Sequence, residues 1–425
     1  MNTIHQTENL LFSVIVQIII MICAARLMNN VFRKMHQPGV IGEIVAGLLL
    51  GPSLFGHFFP EVSIAIFGAK PNPAISVLSQ IGLLFLMFQI GLDFEYKNLK
   101  DKKNRNLVTT ISVVSVVVPF ISGGLIGYFS HSYFAPNIPL LHYILFIGTA
   151  VSITAVPIMG RILKQFKLEK TDMGLVAISS AAANDVVGWI ILATISAISI
   201  NEFAIGHLAL QILGLLILIP LAKFVIITFA NNLTKTIDEN NHDITPNMMA
   251  IIIIMILAFG LYTQKLGIFT IFGGFIMGLF FHYNHQFSIA WRKNVTNFIM
   301  VFLLPIFFTF TGLRTNVLGL VTPTEIMWLV IILLASILSK IVPVYFVARS
   351  YGYEDAQAKI VATLMNTRAL MELIVLNVGY DLGILPQNIF TMLTIMAIVT
   401  TLITGPLLKV FLHKMGHAID TKFES

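Results

Sequence analysis

The sequence predicts an all-α polytopic membrane protein of about thirteen transmembrane helices, arranged as inverted repeats with two interrupted spans. Three observations predict it. The 425 residues are 57% hydrophobic and only 11% charged, with a mean hydropathy of +0.88, far outside the composition of soluble domains. Apolar runs of about 20 residues, the length a helix needs to cross a bilayer, follow one another with no long polar segment between them. Lysine and arginine fall almost entirely in alternate loops. The same composition narrows the function. Met1 to Asn9 is polar and lacks the basic start of a cleavable signal, so the apolar run after it is read as the first span. A single cysteine, Cys23, leaves no intramolecular disulfide and no thiol cluster for a metal. The pI near 9.3 reflects basic loops that set topology, and no nucleic-acid partner is expected.

Taken in order, the spans fall near 10–32, 38–55, 74–93, 107–130, 140–163, 173–199, 207–230, 247–263, 268–283, 294–313, 325–348, 355–380 and 388–412. Loop charge supports this division. One side holds Arg33 and Lys34, the cluster from Lys97 to Arg105, Arg161 with Lys164, Lys167 and Lys170, then Lys235, Arg292, Lys293, Arg349, Lys409, Lys414 and Lys422. The other holds only Lys70, Lys265 and Arg314. Cytoplasmic loops carry the basic excess. An odd number of spans therefore places the N-terminus outside and the C-terminus in the cytoplasm of a plasma or inner membrane. One transmembrane domain, 1–425, is expected, with no soluble regulatory domain.

Internal repetition appears in two pairs of stretches. Ala46 to Gly51, A-G-L-L-L-G, resembles Gly273 to Gly278, G-G-F-I-M-G, and both have small residues spaced for close helix packing. F-L-M-F-Q-I-G-L-D, ending at Asp93, resembles P-I-F-F-T-F-T-G-L-R, ending at Arg314. Both pairs lie seven spans apart, so the copies cross the membrane in opposite directions, as in the inverted repeats of secondary transporters. Two further spans seven apart look interrupted. The fifth places Ser152, Thr154 and Pro157 at mid-depth, where the proline removes a backbone hydrogen bond and disfavours helix at Val156. The twelfth places Asn366, Thr367, Arg368 and Glu372 there. Pro157 alone would be read as an ordinary kink. Paired interruptions mark a binding site, because unwound backbone at membrane depth must be buried in protein or line a cavity.

Asp185, in S-S-A-A-A-N-D-V-V-G-W-I-I-L-A, is the charge that most demands a reason. An ionised aspartate at bilayer centre costs about 2.5–3.5 kcal/mol, so it faces a polar pathway or a partner. Asn184 adds a second polar group at its depth, and Ser180 lies one turn earlier. Lys340 sits too deep in the eleventh span to snorkel and needs a carboxylate, for which Asp185 is the candidate. Arg368 and Glu372, four apart, either pair with each other or neutralise the half-helix ends at the break. Glu43, in V-I-G-E-I-V-A-G, is read as a helix contact or a vestibule residue. No H-E-x-x-H, G-x-S-x-G or phosphate-cradling loop occurs, so enzyme activity is not expected.

The stretches V-I-G-E-I-V-A-G-L-L-L-G-P-S-L-F-G, A-N-D-V-V-G-W and N-T-R-A-L-M-E-L-I-V-L-N-V-G resemble the second family of monovalent cation:proton antiporters, in the sodium/hydrogen exchanger superfamily. That resemblance, over nearly the whole chain, implies a homodimer with core helices near 74–199 and 294–412, dimerisation helices from the remainder, and an elevator-like movement of the core. The fifth and twelfth spans would cross as broken helices. It implies that Asp185 binds cation and proton, that Lys340 pairs with it, and that Thr154 lies at the crossing. Electrogenic members typically carry two adjacent aspartates where this chain has Asn184-Asp185; the asparagine resembles electroneutral exchangers, and the retained Lys340 resembles electrogenic ones. The expected function is exchange of sodium or potassium for protons by alternating access, with no cofactor beyond the transported ions. Ser152, Thr154, Asn184 and freed carbonyls would offer the cation hard oxygen ligands. A gated cation channel and a non-transporting ion sensor are the alternatives.

Overall fold

A computed structural model describes residues 3–35, 37–68, 72–92, 102–200, 213, 214, 220, 243–266, 270–281 and 284–415, and every regular element among them is helical. Among the described residues, ten helices are long and apolar enough to cross a membrane, and two apolar helices, Leu140–Ser152 and Thr270–Phe281, are shorter. They occupy twelve of the thirteen expected spans. The span expected near 207–230 lies almost wholly outside the described residues.

The chain runs α1 (Thr3–Lys34), α2 (Gly39–Leu50), α3 (Phe55–Phe58), α4 (Pro60–Phe67), α5 (Pro73–Leu92), α6 (Lys102–Phe134), α7 (Leu140–Ser152), α8 (Val156–Gln165) and α9 (Asp172–Ile200). It continues with α10 (Pro246–Lys265), α11 (Thr270–Phe281), α12 (His285–Trp291), α13 (Leu304–Leu313), α14 (Pro323–Ser350), α15 (Asp355–Met365), α16 (Leu370–Asp381) and α17 (Gln387–Lys414). Local chemistry explains the boundaries. Arg33 and Lys34 close α1 at the negative end of its dipole. A reciprocal cap opens α14, with Glu325 N–H donating to Thr322 Oγ1 at 3.2 Å and Thr322 N–H donating to Glu325 Oε2 at 2.9 Å. Helices α3 and α4 follow the second span where a loop was expected; Pro60 opens α4, a position at which its missing N–H costs nothing.

The described contacts divide the chain into two compact units, the first comprising Met1–Cys23, Ile64–Glu95 and Ser196–Phe310. Within it α5 packs against α11, and α11 against α10. A Cβ on Gly273 would lie 2.3 Å from Phe259 O, and one on Gly278 would lie 2.2 Å from Phe88 O, so only glycine allows these approaches. Between α12 and α13 the helix widens into π-turns at Arg292–Thr296 and Ile299–Leu303. The wider turn brings Trp291 and Thr296, five residues apart, onto one acceptor: Gln89 Oε1 receives Trp291 Nε1 at 2.9 Å and Thr296 Oγ1 at 2.8 Å.

The second unit comprises Ala24–Ser63, Tyr96–Ile195 and Thr311–Ser425. Here α6 lies along α7 and α14, and α15 and α16 pack on α17. One contact repeats a geometry of the first unit. Gly91 of α5 meets Phe275 O, Gly278 Cα and Leu279 N; Gly312 of α13 meets Ile44 O, Gly47 Cα and Leu48 N. The two sets match atom for atom, as inverted repeats require. They pair Gly47 with Gly278, one helical turn away from the sequence register that paired Gly51 with Gly278. The sequence also carries this register, since I-V-A-G-L-L-L aligns with F-I-M-G-L-F-F over Ile44–Leu50 and Phe275–Phe281.

Candidate functional site

Both interruptions expected from the sequence are present, and they meet. Helix α7 ends at Ser152, residues 153–155 leave the helix with Ile153 and Ala155 extended, and α8 starts at Val156. Pro157 therefore sits in the first turn of α8 rather than within the break, and Val156 is helical instead of extended. In the twelfth span α15 ends at Met365 and α16 starts at Leu370. Ala369, between them, holds a left-handed φ of 83°, strained for a residue with a Cβ. The two unwound stretches touch through Ala155 N–H donating to Thr367 O at 3.0 Å, and Thr154 Oγ1 lies 3.5 Å from Met365 O.

Four buried charges surround this crossing, each at a half-helix end of opposite partial charge. Lys340 donates to Ser152 O, and Arg368 Nη1 donates to Ala150 O at 3.3 Å, so two cations serve the carbonyl end of α7. Arg368 Nη2 also donates to Ser336 O, one turn before Lys340 on α14, at 3.3 Å. At the N-termini stand the anions. The backbone N–H of Val156 donates to the Asp185 carboxylate, and Glu372 occupies the first turn of α16. Arg368 and Glu372 lie 4.0 Å apart, so they both pair loosely and serve the helix ends. Lys340 is engaged by a carbonyl and is not within ion-pair distance of Asp185 in this conformation.

Asp185 is 2% exposed, and its Oδ1 has no hydrogen-bond partner among the described residues. The carboxylate borders a gap lined by Ile153, Gly188, Met371 and Val375, too narrow to admit water. Asn184 turns away from this gap toward α6. With its amide nitrogen facing carbonyls, it donates to Ser112 O at 3.0 Å and Ser180 O at 3.2 Å, and accepts from Ser115 Oγ at 2.8 Å. Thr154 Oγ1 lies 3.4 Å from the same end of the amide. Ser152 Oγ is spent on Thr149 O at 2.9 Å, and Ser180 Oγ points to Val108 O at 3.4 Å. The side-chain atoms of Asn366 and the hydroxyl of Thr367 are buried without partners among the described residues. Glu43 stands apart, buried between α1 and α2, where it accepts from Asn29 Nδ2 at 2.7 Å.

Sequence reasoning did not single out Ser115, Thr401 or the apolar residues lining the gap. Nothing marks a lone hydroxyl in a span, since it commonly bonds its own preceding turn.

Among the described residues, apolar spans with inverted repeats, two crossing broken helices and a buried carboxylate at their meeting form the architecture of a secondary transporter. The chain belongs to the family "Sodium/hydrogen exchanger, transmembrane", which matches residues 18–414. It is 37% identical over 403 residues to the Na(+)/H(+) antiporter NhaS4 of Synechocystis, covering 94% of this chain and 97% of that one. Cation/H(+) antiporter 17 of Arabidopsis thaliana is 32% identical over 418 residues, but the match covers 97% of this chain and 50% of that protein, so the chain spans about half the length of this plant relative. In fold it is similar to the sodium proton antiporter MjNhaP1 from Methanocaldococcus jannaschii, with a TM-score of 0.65 at 16% identity, covering 96% and 98% of the two chains. The family is one of transporters, and the chain is an antiporter that exchanges cations for protons across a membrane.

Proposed function

We propose that this protein exchanges sodium or potassium for protons at Asp185, one ligand at a time. The observation that carries the reading is the unpaired Oδ1 of a buried carboxylate beside unwound backbone. Burial favours the proton-bearing carboxyl and a bound cation favours the ionised one, so the two ligands compete. Competition for a single site is exchange. Thr154 and the carbonyls freed at the two breaks are the hard oxygen ligands nearest to hand. Ser152 and Asn184 contribute by shaping the site, since their polar atoms are already bonded elsewhere. Lys340 and Arg368 keep the carbonyl end of α7 compensated while the charge on Asp185 changes.

The same reading includes a homodimer, a division into core helices near 74–199 and 294–412 with dimerisation helices from the remainder, and a cytoplasmic C-terminus on the lysine- and arginine-rich side. Its test is reconstitution in vesicles, following internal pH as each alkali cation is added in turn. Exchange driven by sodium or potassium, and lost in Asp185→Asn, is expected. Cation flux that ignores the proton gradient would indicate a channel, and binding without flux a sensor.

A further inference from the structure

We propose that Thr401 is a positioning residue of the transport site: its hydroxyl, on a helix that supplies no cation ligand, holds the unwound stretch of the twelfth span in place. The inference rests on the Asp185 reading above. Thr401 Oγ1 accepts the backbone N–H of Arg368 at 3.2 Å and donates to Ala397 O of its own helix α17 at 2.8 Å. Arg368 lies where the helix is broken, so its N–H has no carbonyl one turn back to receive it. Left unbonded in a bilayer, such a group is costly, and both Arg368 and Thr401 are fully buried.

The bond pins the middle of a short chain of contacts. On one side of Arg368 N–H, Thr367 O accepts from Ala155 N–H at 3.0 Å, which ties the break to the extended residues just before α8. On the other, Ala369 carries a φ of 83° that the surroundings must hold against strain. Beyond the backbone, the Arg368 guanidinium reaches Ala150 O and Ser336 O. Thr401 thus fixes the segment from which Arg368 extends and against which Thr154 and Val156 are placed, and Val156 N–H is the donor to Asp185.

Its neighbour shows that this is not general behaviour of the helix. Thr400 is equally buried, but its hydroxyl is spent on Met396 O at 2.8 Å and Ala397 O at 3.2 Å within α17. Thr400→Val is therefore a control matched in burial, chemistry and depth.

The test compares Thr401→Val, Thr401→Ser and Thr400→Val in purified, reconstituted protein by two readouts. Amide hydrogen exchange of a peptide spanning Leu364 to Leu370 should quicken about tenfold in Thr401→Val, the scale of one lost buried bond. The sodium concentration for half-maximal exchange should rise about tenfold in the same variant. Thr401→Ser and Thr400→Val should match the parent in both. Thr401→Val behaving like Thr400→Val overturns the proposal, and so does Thr401→Ser being as impaired as Thr401→Val, which would assign the effect to packing. If Thr401→Val does not insert, Thr401→Ala takes its place under the same criteria. Failure of the parent protein to exchange sodium or potassium would overturn the functional reading alone, since hydrogen exchange still tests the bond to Arg368.

Discussion

The sequence pairs Asp185 with Lys340, and the structure engages each with backbone at the end of a half-helix instead. The Asp185 carboxylate accepts from the N–H of Val156, and Lys340 Nζ donates a hydrogen bond to Ser152 O. Asp185→Asn keeps the shape and removes the charge, so exchange in vesicles should be abolished while insertion and the thermal unfolding midpoint are preserved. Parent-like exchange would end the assignment. Lys340→Ala leaves a buried carbonyl without a charged donor, which costs about 1.5–3 kcal/mol. Measured again in an Asp185→Asn background, most of that loss should persist, because the contact is to Ser152. A loss that vanishes in that background would show a direct charge pair.

At the scale of the element, the broken spans are stabilised by what sits at their ends. Residues 366–369 form no regular helix, and Ala369 holds a conformation that glycine adopts without strain. Ala369→Gly should therefore raise thermal stability by about 0.5–1 kcal/mol, checked by unfolding in detergent; a decrease would show that the buried methyl outweighs the strain. The glycine contacts of the repeat predict the opposite sign. A Cβ at Gly91 would approach Phe275 O to 2.3 Å and one at Gly312 would approach Ile44 O to 2.5 Å, both fixed backbone atoms. Gly91→Ala and Gly312→Ala should each cost about 1–3 kcal/mol, the scale of overpacking a tight interface. Similar losses in both variants are expected from matching contacts, and a neutral variant at either position would argue against the repeat geometry there.

For the whole molecule, charge counting at the site predicts the transport ratio. If Asp185 binds one cation or one proton while Lys340 keeps its proton, the two loaded carriers have equal charge, and exchange is one for one. The membrane potential contributes about 2.3 kcal/mol per net charge per 100 mV, so it separates the possibilities. With the vesicle potential clamped by potassium and valinomycin, the sodium gradient that nulls proton flux should not move with the imposed voltage. A null point that shifts with voltage would bring a second proton into the cycle, with Lys340 as its carrier.

The sequence by itself determined the class and most of the plan. Span-length apolar runs, alternating basic loops and charges buried at mid-depth are one-dimensional consequences of living in a bilayer, where cost depends on depth rather than on neighbours. The twin interruptions were legible for the same reason, as polar clusters in spans seven apart. Tertiary structure alone decided which groups meet. Whether Lys340 faces Asp185 or Ser152 O, whether Asn184 lines the gap or bonds Ser112 and Ser115, and that Thr401 receives Arg368 N–H are contacts between residues 33 to 188 positions apart. Helix rotation and register settle them, and a one-turn slide such as that between Gly51 and Gly47 leaves the hydrophobic pattern almost unchanged while it exchanges every partner.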